Sequence, residues 1–152
     1  MLKKILIALF VILVLIQFIW PARNKNNVVT AQHLTQLYPV PDDVTQILKK
    51  GCNDCHSNYT NYPWYANVQP LGFWLQNHVN EGKEHLNFSE FGKLSPKEQA
   101  HAFEEMAEEV EEDHMPLDSY LWIHKEAQLT AQEKQTLISW ATTLHEQAKQ
   151  QQ

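Results

Sequence analysis

Cys52-Asn53-Asp54-Cys55-His56 sets two thiols three positions apart with an imidazole directly behind the second. This C-x-x-C-H order is the pattern of c-type haem attachment. The thiols stand one helical turn apart, so each can add to one of the two adjacent vinyl groups of a haem edge. The neighbouring imidazole can then turn beneath the ring to meet the iron. Two rival chemistries use the same side chains. A redox-active dithiol is normally presented at a helix start beside a β-sheet, and no βαβ pattern surrounds this one. A zinc tetrahedron would need two imidazoles besides the thiolates, but His78, His85, His101, His114 and His124 lack the H-x3-5-H spacing of finger-type sites. Both cysteines of the chain are spent on this motif, and a segment of export type precedes it. The expectation is one covalent haem c per chain, held by Cys52 and Cys55, with His56 on the iron.

The sixth iron position needs a second donor, and a His/Met pair gives a raised potential suited to electron transfer. Met115 is the candidate. Pro116 stops helix continuation and favours an extended backbone at Met115, which places it in a loop. Met106 falls on an apolar helical stripe and reads as core filling. The rivals to Met115 are His114, His78, His85 or an open position.

The elements that must position these residues are helical. Only four glycines accompany an aromatic content of 11%, with five Trp, which favours a helical body over a many-turned sandwich. Asp42 or Asp43 can cap a short helix carrying Val44, Ile47 and Leu48 toward Gly51, delivering the chain to Cys52. A second helix is expected from about Leu71 to Asn80, ended by Gly82. Ser95-Pro96-Lys97-Glu98 is a capping box with Pro at the first helical position, and Ala100, Phe103, Met106, Ala107 and Val110 follow at helical spacing. Thr130 and Glu133 open the last helix, whose apolar stripe is Leu137, Ile138, Ala141 and Leu144. Tyr62, Trp64 and Tyr65 read as core, with a cavity wall as the alternative. His124 and His145 read as surface.

At the other end, Met1 to Ala22 carries an apolar run from Ile5 to Trp20 broken only by Gln17. It is longer than a secretory h-region and lacks a small-x-small cleavage site, so it reads as an uncleaved anchor of transmembrane or signal-anchor type. No cysteine follows to make a lipoprotein. The organisation expected is therefore an anchor over 1–22, a polar Asn-rich linker over 23–37, a haem-binding domain over 38–148 and a polar tail over 149–152. Without Lys3 and Lys4, 10 basic residues face 18 acidic ones, which disfavours nucleic acid as a partner. The acidic run Glu104 to Asp113 reads as a solvated helix face, with docking of a basic redox partner as the rival reading.

The wider neighbourhood resembles a known family. Gly51 to Ser57, Asn61-Tyr62-Pro63-Trp64-Tyr65, Gln69-Pro70, His78 to Gly82, His85 to Ser89, Met115-Pro116-Leu117 with Tyr120, and Ile138-Ser139-Trp140 are similar to blocks of the bacterial haem-binding domain family with a single C-x-x-C-H. The likeness covers about Tyr38 to Leu144. It implies a small, cytochrome-c-like, all-α domain facing the periplasm. Together the residues and the resemblance give an expected single-pass protein of the bacterial inner membrane that passes single electrons to a redox partner and is not an enzyme. The competing readings are a peroxidase-like haem enzyme, which needs an open iron position and a distal acid-base group, and a haem-based sensor.

Overall fold

The structure, a computed structural model, describes residues 1–151. Its elements are α-helices joined by 3₁₀ turns: α1 (Leu2–Leu15), α2 (Leu34–Leu37), α3 (Asp42–Gly51), α4 (Asn53–His56), α5 (Leu71–His85), α6 (Pro96–Glu111), α7 (Asp118–Leu121) and α8 (Ala131–Lys149). Among the described residues no strand forms, and one isolated antiparallel bridge joins Lys25 to Tyr59. The all-α expectation therefore holds for the body.

The two longest body helices start where their local chemistry dictates. Ser95 accepts from the Glu98 amide while the Glu98 carboxylate accepts from the Ser95 amide, and Thr130 with Glu133 repeats the arrangement at α8. Each box satisfies two backbone donors that a helix start otherwise leaves orphaned. The α6 stripe and Leu137, Ala141 and Leu144 of α8 are all buried, and the two helices pack face to face. Phe103 stands at the centre with no exposed surface. Tyr38, Phe91 and Trp140 surround it at ring-centroid distances of 5.0, 5.0 and 5.8 Å. Trp140, outside the expected stripe, is buried against Phe103, and its indole N–H is satisfied by donating to the Pro39 carbonyl at 3.0 Å.

Helix α3 is locked onto α8 by Lys50, whose Nζ lies 2.8 Å from Glu133. The Lys50 ammonium, helped by the Thr130 amide, holds the Glu133 carboxyl down at about 2. A folded-state value below the ordinary one contributes stability above about pH 4.5 that is lost as the pH falls toward 2. Glu133→Gln is expected to cost about 0.5–1.5 kcal/mol at neutral pH. In urea melts at stepped pH the gap to the unaltered protein should close through that acid window, and a pH-independent gap would assign the loss to the cap alone.

Three expectations are corrected. The first concerns Met1 to Ala22. Helix α1 is 14 residues long, about 21 Å at 1.5 Å per residue, against about 30 Å of hydrocarbon. It tightens to a 3₁₀ turn over Ile16–Phe18 and ends in extended backbone at Ile19, ahead of Pro21. No helix among the described residues is long and apolar enough to cross a membrane, which overturns the single-pass inner-membrane localisation and the transmembrane helix. Gln17, the one polar residue of the run, exchanges two hydrogen bonds of 3.0 Å with the backbone of Gln69.

The second is α5, which runs through Gly82 to His85 instead of ending there. The third is the exposure of two histidines. His145 donates from Nδ1 to the Ala100 carbonyl at 2.8 Å, with its side chain 14% exposed, and His124 is similarly enclosed, at 16%.

The segment read as a linker lies against the body. Asn24 donates from its side chain to the Ser57 carbonyl and the Thr60 hydroxyl, and its amide donates to the Tyr62 hydroxyl. Leu34 of α2 sits in the core. The final tail residue, 152, lies outside the described residues.

Candidate functional site

Cys52 follows the last residue of α3, at φ −124° and ψ −46°, and opens the single turn of α4 that carries Cys55 and His56. That turn packs on α5. The approach is close because position 82 has no side chain: a Cβ there would lie 2.9 Å from the Cys55 carbonyl oxygen and 3.1 Å from the Cys55 Cβ. Glycine is tolerated inside α5, at a propensity cost of about 1 kcal/mol, for that contact.

In front of α4 lies a cavity of about 480 Å³, within the range of small-molecule and cofactor sites. Cys52, Cys55 and His56 line it from α4, and Met115 with Pro116 lines it from the loop after α6. Its apolar walls come from Leu75, Leu86, Phe88, Val110 and Leu137. Four candidates separated along the sequence by as much as 63 positions thus border one space.

Both cysteines are free thiols. Burial, and next the charge of Cys55, pushes Cys52 up to about 12; burial, and next the Asp54 carboxylate, pushes Cys55 up to about 11. Both are protonated at neutral pH, the opposite of a reactive dithiol, whose thiolate is stabilised. Nor do three or more His, Cys, Asp or Glu side chains gather into a metal-holding cluster among the described residues, so the zinc reading has no support.

The imidazole of His56 is set for one task. Its Nδ1 lies 3.0 Å from the Leu86 carbonyl oxygen. A carbonyl only accepts, so Nδ1 carries the proton and Nε2 of the neutral ring carries the lone pair. Burial lowers the His56 pKa, offset in part by the backbone bonds to Leu86 and Gly82, so the ring is neutral near pH 7. A histidine metal ligand is ordinarily oriented in this way, through its second nitrogen. Phe88 fixes the ring further, at a centroid distance of 5.9 Å.

The other candidates separate. His114 is exposed, near Glu109 and Glu112 at 3.7 and 3.4 Å, and does not border the cavity. His78 and His85 do border it, because the continuation of α5 through Gly82 puts residues seven apart on one face. Met106 is buried in the α6 stripe, as expected, yet it also lines the cavity, since the core face of α6 forms part of the wall. Tyr62, Trp64 and Tyr65 stay out of it. Tyr65 belongs to a small separate cluster with Ala66 and Leu75, and Trp64 is 77% exposed. Sequence reasoning gave Tyr120, Glu105 and Glu109 no place in the cavity, yet all three line it. The i, i+4 spacing of the two glutamates beside the Met106 stripe was the available signal.

Two protonated thiols, a neutral imidazole with one free nitrogen and an apolar chamber of this size are the donor set and housing that a haem takes. The fold and site thus define the class, an all-helical haem-binding protein. The chain belongs to the haem-binding domain family, whose profile matches residues 11–143, most of its length. No curated protein and no solved structure matches it.

Proposed function

We propose that the chain is a c-type haem protein that passes single electrons. Cys52 and Cys55 would hold one haem through two thioether links, and His56 Nε2 and the Met115 thioether would be the protein's ligands to its iron. When bound, haem supplies a one-electron iron couple, and Met/His ligation raises its potential. The observation that carries the reading is that one cavity is lined both by an imidazole fixed in the ligand tautomer by Leu86 and by a methionine of the loop after α6.

The chain's own residues do the rest. Leu75, Leu86, Phe88 and Val110 line the cavity with apolar surface and would exclude water from a bound haem. The Leu86 carbonyl keeps His56 oriented. The Glu-rich face of α6, whose Glu105 and Glu109 reach the cavity, suits a basic redox partner by charge complementarity.

A second reading, a haem enzyme or sensor with an exchangeable distal position, draws on His78 and His85 beside the same cavity. Met115→Ala separates the two. If Met115 is the ligand, the loaded variant is expected to lose the methionine-to-iron charge-transfer band, turn at least partly high-spin and bind carbon monoxide readily when reduced. An unchanged low-spin spectrum would remove Met115 from the iron. A parent protein that already binds carbon monoxide readily would favour the enzyme or sensor.

A further inference from the structure

Behind the cavity wall stand three polar side chains that the haem site does not use. The Tyr65 hydroxyl lies 2.7 Å from His124 Nε2, and His124 Nδ1 lies 3.1 Å from a Glu126 carboxylate oxygen. The carboxylate only accepts, so Nδ1 carries the imidazole proton, Nε2 is the acceptor, and Tyr65 donates. The order is that of a nucleophile-base-orienter triad with a phenol in first place. Tyr65, however, is 2% exposed and does not line the cavity, so its hydroxyl is not presented to a substrate there. What it has is an aromatic connection in two directions. Tyr120, in the cavity wall, stacks on His124 with centroids 4.2 Å apart and planes 14° from parallel. Trp64, largely exposed, meets Tyr65 edge-on at 6.0 Å.

A phenol gives up an electron at accessible potentials only when its proton leaves with it. Burial above all raises the Tyr65 pKa, so the residue does not ionise beforehand. Its proton therefore has to go to a base already within hydrogen-bond reach, and His124 is that base. The Glu126 carboxylate then stabilises the imidazolium that forms.

We infer that Tyr65, His124 and Glu126 form a proton-coupled one-electron site wired between the cavity and the surface. On oxidation Tyr65 loses one electron to a high-potential one-electron acceptor, reached through Tyr120 on the cavity side or Trp64 on the solvent side. Its O–H bond breaks and an N–H bond forms at His124 Nε2. The products are a neutral tyrosyl and an imidazolium paired with Glu126. A one-electron reductant reverses both transfers and restores the phenol. The link to the cavity rests on the haem reading, whereas the triad does not.

The test uses the full chain with photogenerated tris(bipyridine)ruthenium(III) as oxidant and freeze-quench electron paramagnetic resonance as readout, in water and in deuterium oxide. The unaltered protein is expected to give a neutral tyrosyl signal that forms with a solvent isotope effect. Tyr65→Phe, which keeps the packed ring, should lose most of that signal. His124→Phe and Glu126→Gln should each slow its formation several-fold. A tyrosyl yield that persists in Tyr65→Phe overturns the inference. So does a rate and isotope effect unmoved by Glu126→Gln, a change at an exposed position that leaves the packing alone should His124→Phe misfold. Because the oxidant is photochemical, loss of haem binding with the signal intact would count against the haem reading and support the triad.

Discussion

Gly82→Ala is expected to destabilise the protein by about 1–3 kcal/mol and to lower the fraction of chains that retain haem. Helix propensity argues the other way, since replacing a mid-helix glycine by alanine gains about 1 kcal/mol. The geometry decides the sign. The new methyl would lie 2.9 Å from a backbone oxygen and 3.1 Å from the Cβ of Cys55, so what must move is the backbone of α4, which carries Cys55 and His56. A shift of a few tenths of an ångström there disturbs the His56 bond to Leu86 and the thiol positions together. Thermal melts combined with the ratio of haem to protein absorbance check both halves. A variant more stable than the parent and fully loaded would mean that α4 does not rest on α5 as described.

Phe103→Ala is expected to cost about 3–5 kcal/mol through lost burial and the cavity left behind. Against a total stability of about 5–15 kcal/mol, that removes a large share, and the melting temperature should fall by about 10–20 °C. Phe103 has no exposed surface, and three aromatic rings pack around it. Its loss loosens α6 against α8 and with them the cavity wall. Trp122→Ala, at a residue 73% exposed, should stay within about 0.5 kcal/mol and serves as the control. Equal losses in the two variants would contradict the placement of the core.

The parts of this structure that local chemistry controls were legible in the sequence. The capping boxes at Ser95 and Thr130 need only residues three apart, and the α6 stripe needs only helical period. The haem motif is likewise contiguous. What escaped was set by contacts distant in sequence. Gly82 looked like a helix terminator because glycine ends helices, and only the α4 turn pressed against it explains a glycine mid-helix. With α5 continued through that glycine, His78 and His85 both border the cavity. His124 looked like a surface residue because its neighbours Lys125 and Glu126 are charged, while its partner Tyr65 lies 59 positions away. The Asn-rich stretch lacked periodicity, yet Asn24 is bound to Ser57, Thr60 and Tyr62 by side-chain chemistry that no helical or strand pattern encodes. The apolar run of Met1 to Ala22 was read by total length, whereas the helix within it stops at Leu15.

The most direct test of the central claim is the optical spectrum, oxidised and reduced, of protein co-expressed with haem-attachment machinery, taken before and after acid-acetone extraction. The account predicts a low-spin haem that stays with the polypeptide through extraction and is lost from it when Cys52 and Cys55 are both replaced by Ser. Haem that extracts freely from the unaltered protein, or is never taken up, would contradict attachment at Cys52 and Cys55.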